Sequence, residues 1–312
     1  MAINKYMRAA LKTLSYADID IKNNYKIVRQ LENAAHMDVT KPFYKTWDHT
    51  VTRGDHVIPV RIFSPDETLR DFPILLFFHG GGWVIGNIDS YNKVCRTMAK
   101  LTKHIVVSVD YRLAPEHRYP NGLLDCYEVA KELFLNSGLL HIRPEQITLI
   151  GDSAGANLAA AVSLMARDKG EFFPERQILI YPATYNDHTE HSPFPSVREN
   201  GTDYLLTSKR VQDYMELYMN SPKDLTDPYF APLLSENLKD QPKTLIITAQ
   251  YDPLRDEGEA YAHRLMKDGN QVELHRIRDA LHGFFSLPPR FVQVKRCYQY
   301  INQFLSEVET CE

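Results

Sequence analysis

Cysteine is scarce. Four residues, Cys95, Cys126, Cys297 and Cys311, are spread through 312 positions, with neither the spacing of a disulfide framework nor that of a metal site. This suits reduced thiols in a cytoplasmic chain, with Cys95 and Cys126 expected in helices packed on a sheet. Long apolar runs are missing as well. No stretch approaches the ~20 residues needed to cross a bilayer, and Met1–Gln30 is mixed polar and charged, without the apolar centre of a secretion signal. There is no charge block, internal repeat or low-complexity tract. The net charge is −4 with both signs interspersed, which argues against a nucleic-acid partner and a membrane partner alike.

What the chain has is alternation of short apolar runs and helical patterns. After two antiparallel-type strands near 45–53 and 56–63, strands and helices alternate to a last helix at about 292–308. That order implies a mostly parallel sheet covered on both faces, one large α/β domain with a smaller subdomain. Residues 1 to about 40 read as mainly helical, with Met7, Ala10, Leu11 and Leu14 at helical spacing.

The most informative stretch is Gly151-Asp152-Ser153-Ala154-Gly155. It joins the apolar run Gln146–Ile150 to the Ala/Leu-rich run Ala156–Val162, in the order strand, tight turn, helix. A serine at such an apex projects into a cleft, and the helix behind it aims backbone N–H groups at any negative charge that forms there. The pentapeptide alone also fits an ordinary turn; its flanks favour a nucleophile.

Upstream, the run Phe72–Phe78 reads as a strand buried on both faces and ends in His79-Gly80-Gly81-Gly82-Trp83. A glycine-rich loop can turn N–H groups inward, as an acyl-transfer serine requires for its oxyanion. Gly81, Gly82 and Ala154 are the expected donors; Gly80 shapes the loop and His79 anchors it.

A serine hydroxyl needs a base, and the base needs an orienting acid. Asp252 follows the strand Lys243–Ala249. His282 follows a strand at 271–276. Both fall where a parallel sheet collects its functional groups. Asp256 is the rival acid, but Asp256 and Glu257 read as first-turn helix residues. Among twelve histidines, His275 sits in a strand, His263 in a helix, and His36, His49, His56, His104, His117 and His141 have no partner motif. His188 and His191, three apart in a loop, suggest a solvated surface rather than a metal site, and no metal or cofactor is expected.

Together these segments, with Val109–Glu116, Asp252–Glu257 and His282-Gly283-Phe284, resemble the hormone-sensitive-lipase-like branch of α/β-hydrolase esterases, within it the bacterial acetyl-esterase-like group. The resemblance runs from about residue 45 onward; 1–44 and 185–222 match only loosely. It implies an α/β-hydrolase fold with an eight-stranded, mostly parallel sheet. Residues 45–184 and 223–312 would form the catalytic domain, and 1–44 with 185–222 a helical cap. It implies a Ser153–His282–Asp252 triad acting on short-chain acyl esters, a small-molecule ester as partner, and a homodimer through the last strand and helix. Asp110, Arg112 and Glu116 are expected to form a buried cluster supporting the oxyanion loop or the elbow. Two alternatives stay open: a non-catalytic small-ligand receptor on the same fold, and an amidase or peptidase using the same triad.

Overall fold

In the computed structural model the described residues are 11–12, 20–36, 38, 44–66, 72–137 and 142–306. Met7, Ala10, Leu14, His141, Cys311 and the expected helix end at Val308 lie outside them. Eight strands form one sheet: β1 (Trp47–Arg53), β2 (His56–Phe63), β3 (Ile74–Phe78), β4 (Ile105–Val109), β5 (Ile147–Asp152), β6 (Arg176–Ile180), β7 (Lys243–Tyr251) and β8 (Val272–Leu281). Their spatial order is β1-β2-β4-β3-β5-β6-β7-β8. β1 pairs antiparallel with β2 and β2 with β4, and every pairing from β4 to β8 is parallel.

Crossover helices cover both faces, so the central strands have no wet side. Ile74-Leu75-Leu76-Phe77-Phe78 of β3 is buried throughout, the physical reason its sequence is a continuous apolar run without alternation. On one face α2 (Asn92–Thr102) and α8 (Val292–Ser306) pack through Val94, Met98, Cys297 and Ile301. On the other lie α3 (Asn121–Leu135), α4 (Ala154–Lys169) and α7 (Arg255–Lys267). α4 is buried from Ala154 to Ala166, and its alanines let it lie close against the strands. Cys95 and Cys126 are buried in α2 and α3.

Two further pieces cross above the C-terminal ends of the parallel strands. α1 (Ile21–Ala35) carries Arg29, and the excursion between β6 and β7 holds α5 (Pro195–Glu199) and α6 (Ser208–Tyr218). Lys22 of α1 pairs with Asp213 at 3.4 Å and with Glu216, fastening α1 to α6. β8 departs from expectation. It runs five residues beyond Arg276 to Leu281, so His282 stands directly at its tip.

Candidate active site

Three strand ends build the site. β5 stops at Asp152, Ser153 takes φ 56° and ψ −120°, and α4 begins at Ala154. A serine at positive φ is strained. The turn is held because the Ser153 N–H donates to the Ile180 carbonyl at 2.9 Å and Asn157 N–H donates to the Ser153 carbonyl at 3.0 Å. Gly155 allows the close crossing: a Cβ there would lie 2.0 Å from the Phe78 carbonyl oxygen.

His282 bridges the other two ends. Its Nε2 lies 2.9 Å from Ser153 Oγ and its Nδ1 lies 2.7 Å from Asp252 Oδ2. An ionised carboxylate can only accept, so Nδ1 carries the proton and Nε2 is left to accept from the hydroxyl. Asp252 is fully buried, and its second oxygen accepts the Leu254 N–H at 2.9 Å. Asp256 turns away, accepting from Ser196 N–H and from Arg255, both at 2.7 Å. The Tyr181 ring packs against the His282 ring with centroids 4.6 Å apart.

The glycine loop faces the same space. Among the described residues, no carbonyl or side chain takes the N–H of Gly81, Gly82 or Ala154, and all three border the cavity that contains Ser153 and His282. Gly82 (φ 59°) lies beneath the Tyr214 ring of α6; a Cβ there would come within 2.4 Å of Tyr214 Cγ. His79 is fully buried. Its Nδ1–H donates to the Gly80 carbonyl at 2.8 Å, its ring stacks on Tyr111 at 4.3 Å, and burial pushes its pKa down to about 4, so it stays neutral.

Asp152, which sequence reasoning passed over, ties loop to elbow. Its Oδ1 accepts the Gly80 N–H at 2.8 Å, while its Oδ2 accepts the hydroxyls of Tyr91 at 3.2 Å and Tyr181 at 3.3 Å. Burial raises its pKa to about 6, opposed by these hydrogen bonds and by attraction to His282. The available signal was a carboxylate beside the serine inside an otherwise small-residue turn.

The expected Asp110–Arg112–Glu116 cluster does not exist as one unit. Asp110 accepts the Ile88 N–H at 3.2 Å and so does brace the loop after Trp83. Arg112 forks onto the fully buried Asp125 of α3 at 2.7 and 2.8 Å, drawn there because a buried carboxylate demands a partner. Glu116 pairs with Arg29 at 2.9 Å, and Arg29 donates to the Val84 carbonyl at 2.7 Å and the Ala114 carbonyl at 2.8 Å. Glu116 thus reaches the loop only through α1. The expected solvation of both histidines near 190 also needs correction. His188 is buried with its Nε2 2.5 Å from the buried Glu257, while His191 is exposed. Among the described residues no group of three His, Cys, Asp or Glu could hold a metal ion.

The cavity measures about 370 Å³. Its floor is the cradle and Ser153. Leu205, Leu206 and Val211 form an apolar wall, and Glu32 of α1, His36 just past its end, and Arg210 and Tyr214 of α6 bring charged or titratable groups to the cavity.

Known proteins resemble this chain over most of its length. Residues 75–286 fit the family described as having the α/β hydrolase fold. An arylesterase of Saccharolobus solfataricus is 36% identical over 254 residues, 81% of each chain. An ethyl acetate hydrolase of Pseudomonas putida is 33% identical over 239 residues, 76% of this chain and 74% of that one. The solved structure of a hyperthermophilic esterase from Pyrobaculum calidifontis superposes with a TM-score of 0.86 at 34% identity, covering 99% of each chain. The chain belongs to the α/β-hydrolase family, and within it to the esterases of the hormone-sensitive-lipase-like branch. Among the described residues, no helix is long and apolar enough to cross a membrane.

Proposed function

We propose that this chain is a serine carboxylesterase for short-chain acyl esters, working through an acyl-enzyme. The observation that carries the reading is the unbroken Ser153–His282–Asp252 hydrogen-bond chain in a cavity that Gly81, Gly82 and Ala154 also border. His282 Nε2 takes the Ser153 proton as Oγ attacks the ester carbonyl. Asp252 holds the imidazole orientation and stabilises the imidazolium. The N–H groups of Gly81, Gly82 and Ala154 receive the oxyanion. His282 returns the proton to the departing alcohol, and water repeats the sequence to free the acid.

A cavity near the small end of the ~300–1,000 Å³ range for ligand pockets favours short acyl groups. α1 and α6 act as the cap, excluding water and shaping that pocket. The free thiols of Cys95, Cys126 and Cys297 suit a reducing cytoplasm, and β8, one of the two edge strands, offers an edge for pairing two copies.

The test is turnover of p-nitrophenyl esters of rising acyl length, with fluorophosphonate labelling and mapping of the adduct. Turnover of acetate or butyrate esters and an adduct on Ser153 are expected. Ser153→Ala should lose on the order of 10⁴-fold or more in kcat. Labelling without turnover would redirect the reading to a receptor, and faster cleavage of matched anilides to an amidase.

A further inference from the structure

We propose that Asn200 is a positioning residue for Asp252. Its side-chain amide grips the turn on which the carboxylate stands, and so links the cavity wall to the acid of the triad. The inference rests on the reading of Asp252 as the orienting acid.

Asp252 does not stand on regular ladder. The β7–β8 register is interrupted between Ala249 and Tyr251, immediately before it. Besides its own Leu254 N–H and Arg255 N–H bonds, the turn is held by the excursion between β6 and β7. Asn200 is 4% exposed, and its Nδ2 donates to the Asp252 carbonyl at 3.1 Å and toward the Gln250 carbonyl at 3.4 Å. Ser196 Oγ donates to the Pro253 carbonyl at 2.8 Å. Glu199 pairs with Arg255 at 2.9 Å, and Tyr204 stacks on Tyr251 with ring centroids 4.8 Å apart. Leu205 and Leu206, the next residues, border the cavity. One short segment therefore touches the acid's turn at Asn200 and the substrate space five residues later.

A buried amide that donates to a main-chain carbonyl fixes where that backbone sits. If the donor is removed, the Asp252 carbonyl keeps only the longer Arg255 N–H bond at 3.2 Å and the Gln250 carbonyl only the Arg255 guanidinium at 3.2 Å, so the turn can relax. Asp252 would then meet Nδ1 at poorer geometry. Three other groups face the imidazole: Ser153, Asp152 at the end of β5 and Tyr181 just past β6. None of them contacts Asn200, so its removal changes the imidazole's surroundings through Asp252.

The test compares wild type, Asn200→Leu and Gln177→Ala. Gln177 bonds buried Thr244 at 2.9 Å near the far ends of β6 and β7, and serves as a purely structural control. In Asn200→Leu, kcat should fall ~10- to 100-fold with KM changed less than about threefold. The His282 Nδ1 proton resonance, read by NMR without turnover, should move upfield as its bond to Asp252 weakens. Gln177→Ala should lower thermal stability and leave that resonance in place. If Asn200→Leu does not fold, Asn200→Ser is read for a smaller shift of the same sign. An unmoved resonance in the folded variant, or a kcat loss no greater than that of the control, overturns the proposal. Failure of the wild type to cleave any ester would sink the functional reading alone, since the NMR comparison still reports on the turn.

Discussion

The backbone N–H of Gly80 donates to the carboxylate of Asp152 at 2.8 Å, so the glycine loop is bonded to the residue next to Ser153. Loop and serine are thereby held as one piece, and on the proposed function this fixes the oxyanion donors relative to the nucleophile. Asp152→Asn keeps an acceptor for Gly80 but removes a charge near the imidazolium, and kcat should fall by ~10-fold. A kcat within twofold of wild type would refute this.

The same carboxyl gives a pH signature with a definite sign. Its pKa is raised from 3.8 to about 6 in the folded chain, so between those values the folded state binds more protons than the unfolded one. Its contribution to stability is greatest at low pH and declines as pH rises through about 6. Asp152→Asn should therefore gain on wild type in thermal stability between pH 4 and pH 7. A melting-temperature difference that stays constant across this range would count against a buried, high-pKa carboxyl.

Arg112 tests the corrected role of its segment. Removing one partner of a buried ion pair costs about 3–5 kcal/mol, and Arg112 is the bidentate partner of the fully buried Asp125, which Arg53 approaches at 3.3 Å. Arg112→Ala should lower the melting temperature markedly while kcat per folded molecule stays near wild type. A large kcat loss at intact stability would restore Arg112 to the support of the oxyanion loop.

Arg29 and Glu116 should separate. Their ion pair is partly exposed and worth about 0–1 kcal/mol, so Glu116→Gln should be nearly neutral. Arg29→Ala also strips the Val84 and Ala114 carbonyls of their guanidinium donors. It should raise KM and lower stability more than Glu116→Gln does. Equal effects of the two variants in steady-state kinetics and thermal melts would contradict this division.

The readable parts of the site were local in the chain. Gly151–Gly155 and His79–Trp83 each announce strand, turn and donor chemistry within a few positions, and Asp252 and His282 follow strand ends. The unreadable parts are side chains that meet only through the fold. Gly80 and Asp152 are 72 positions apart, and Asn200 and Asp252 are 52 apart. His188 looked solvated because the sequence cannot show Glu257 buried opposite it. Arg112 looked like part of a charged cluster because its neighbours are charged; the buried carboxylate that claims it lies one helix away. β8 extends past the apparent strand at 271–276 because an outer strand tolerates the charged Arg276, Arg278 and Asp279 around the buried Ile277.

The Tyr214 ring resting on Gly82 joins the ceiling of the chamber to its chemistry. Enlarging the chamber by trimming position 214 would unload the very amide expected to catch the oxyanion, so a broader acyl range obtained there should come with slower turnover. Space opened at Leu205, Leu206 or Val211 carries no such penalty, which makes that wall the place where a bulkier-substrate variant can be sought while the rate is kept.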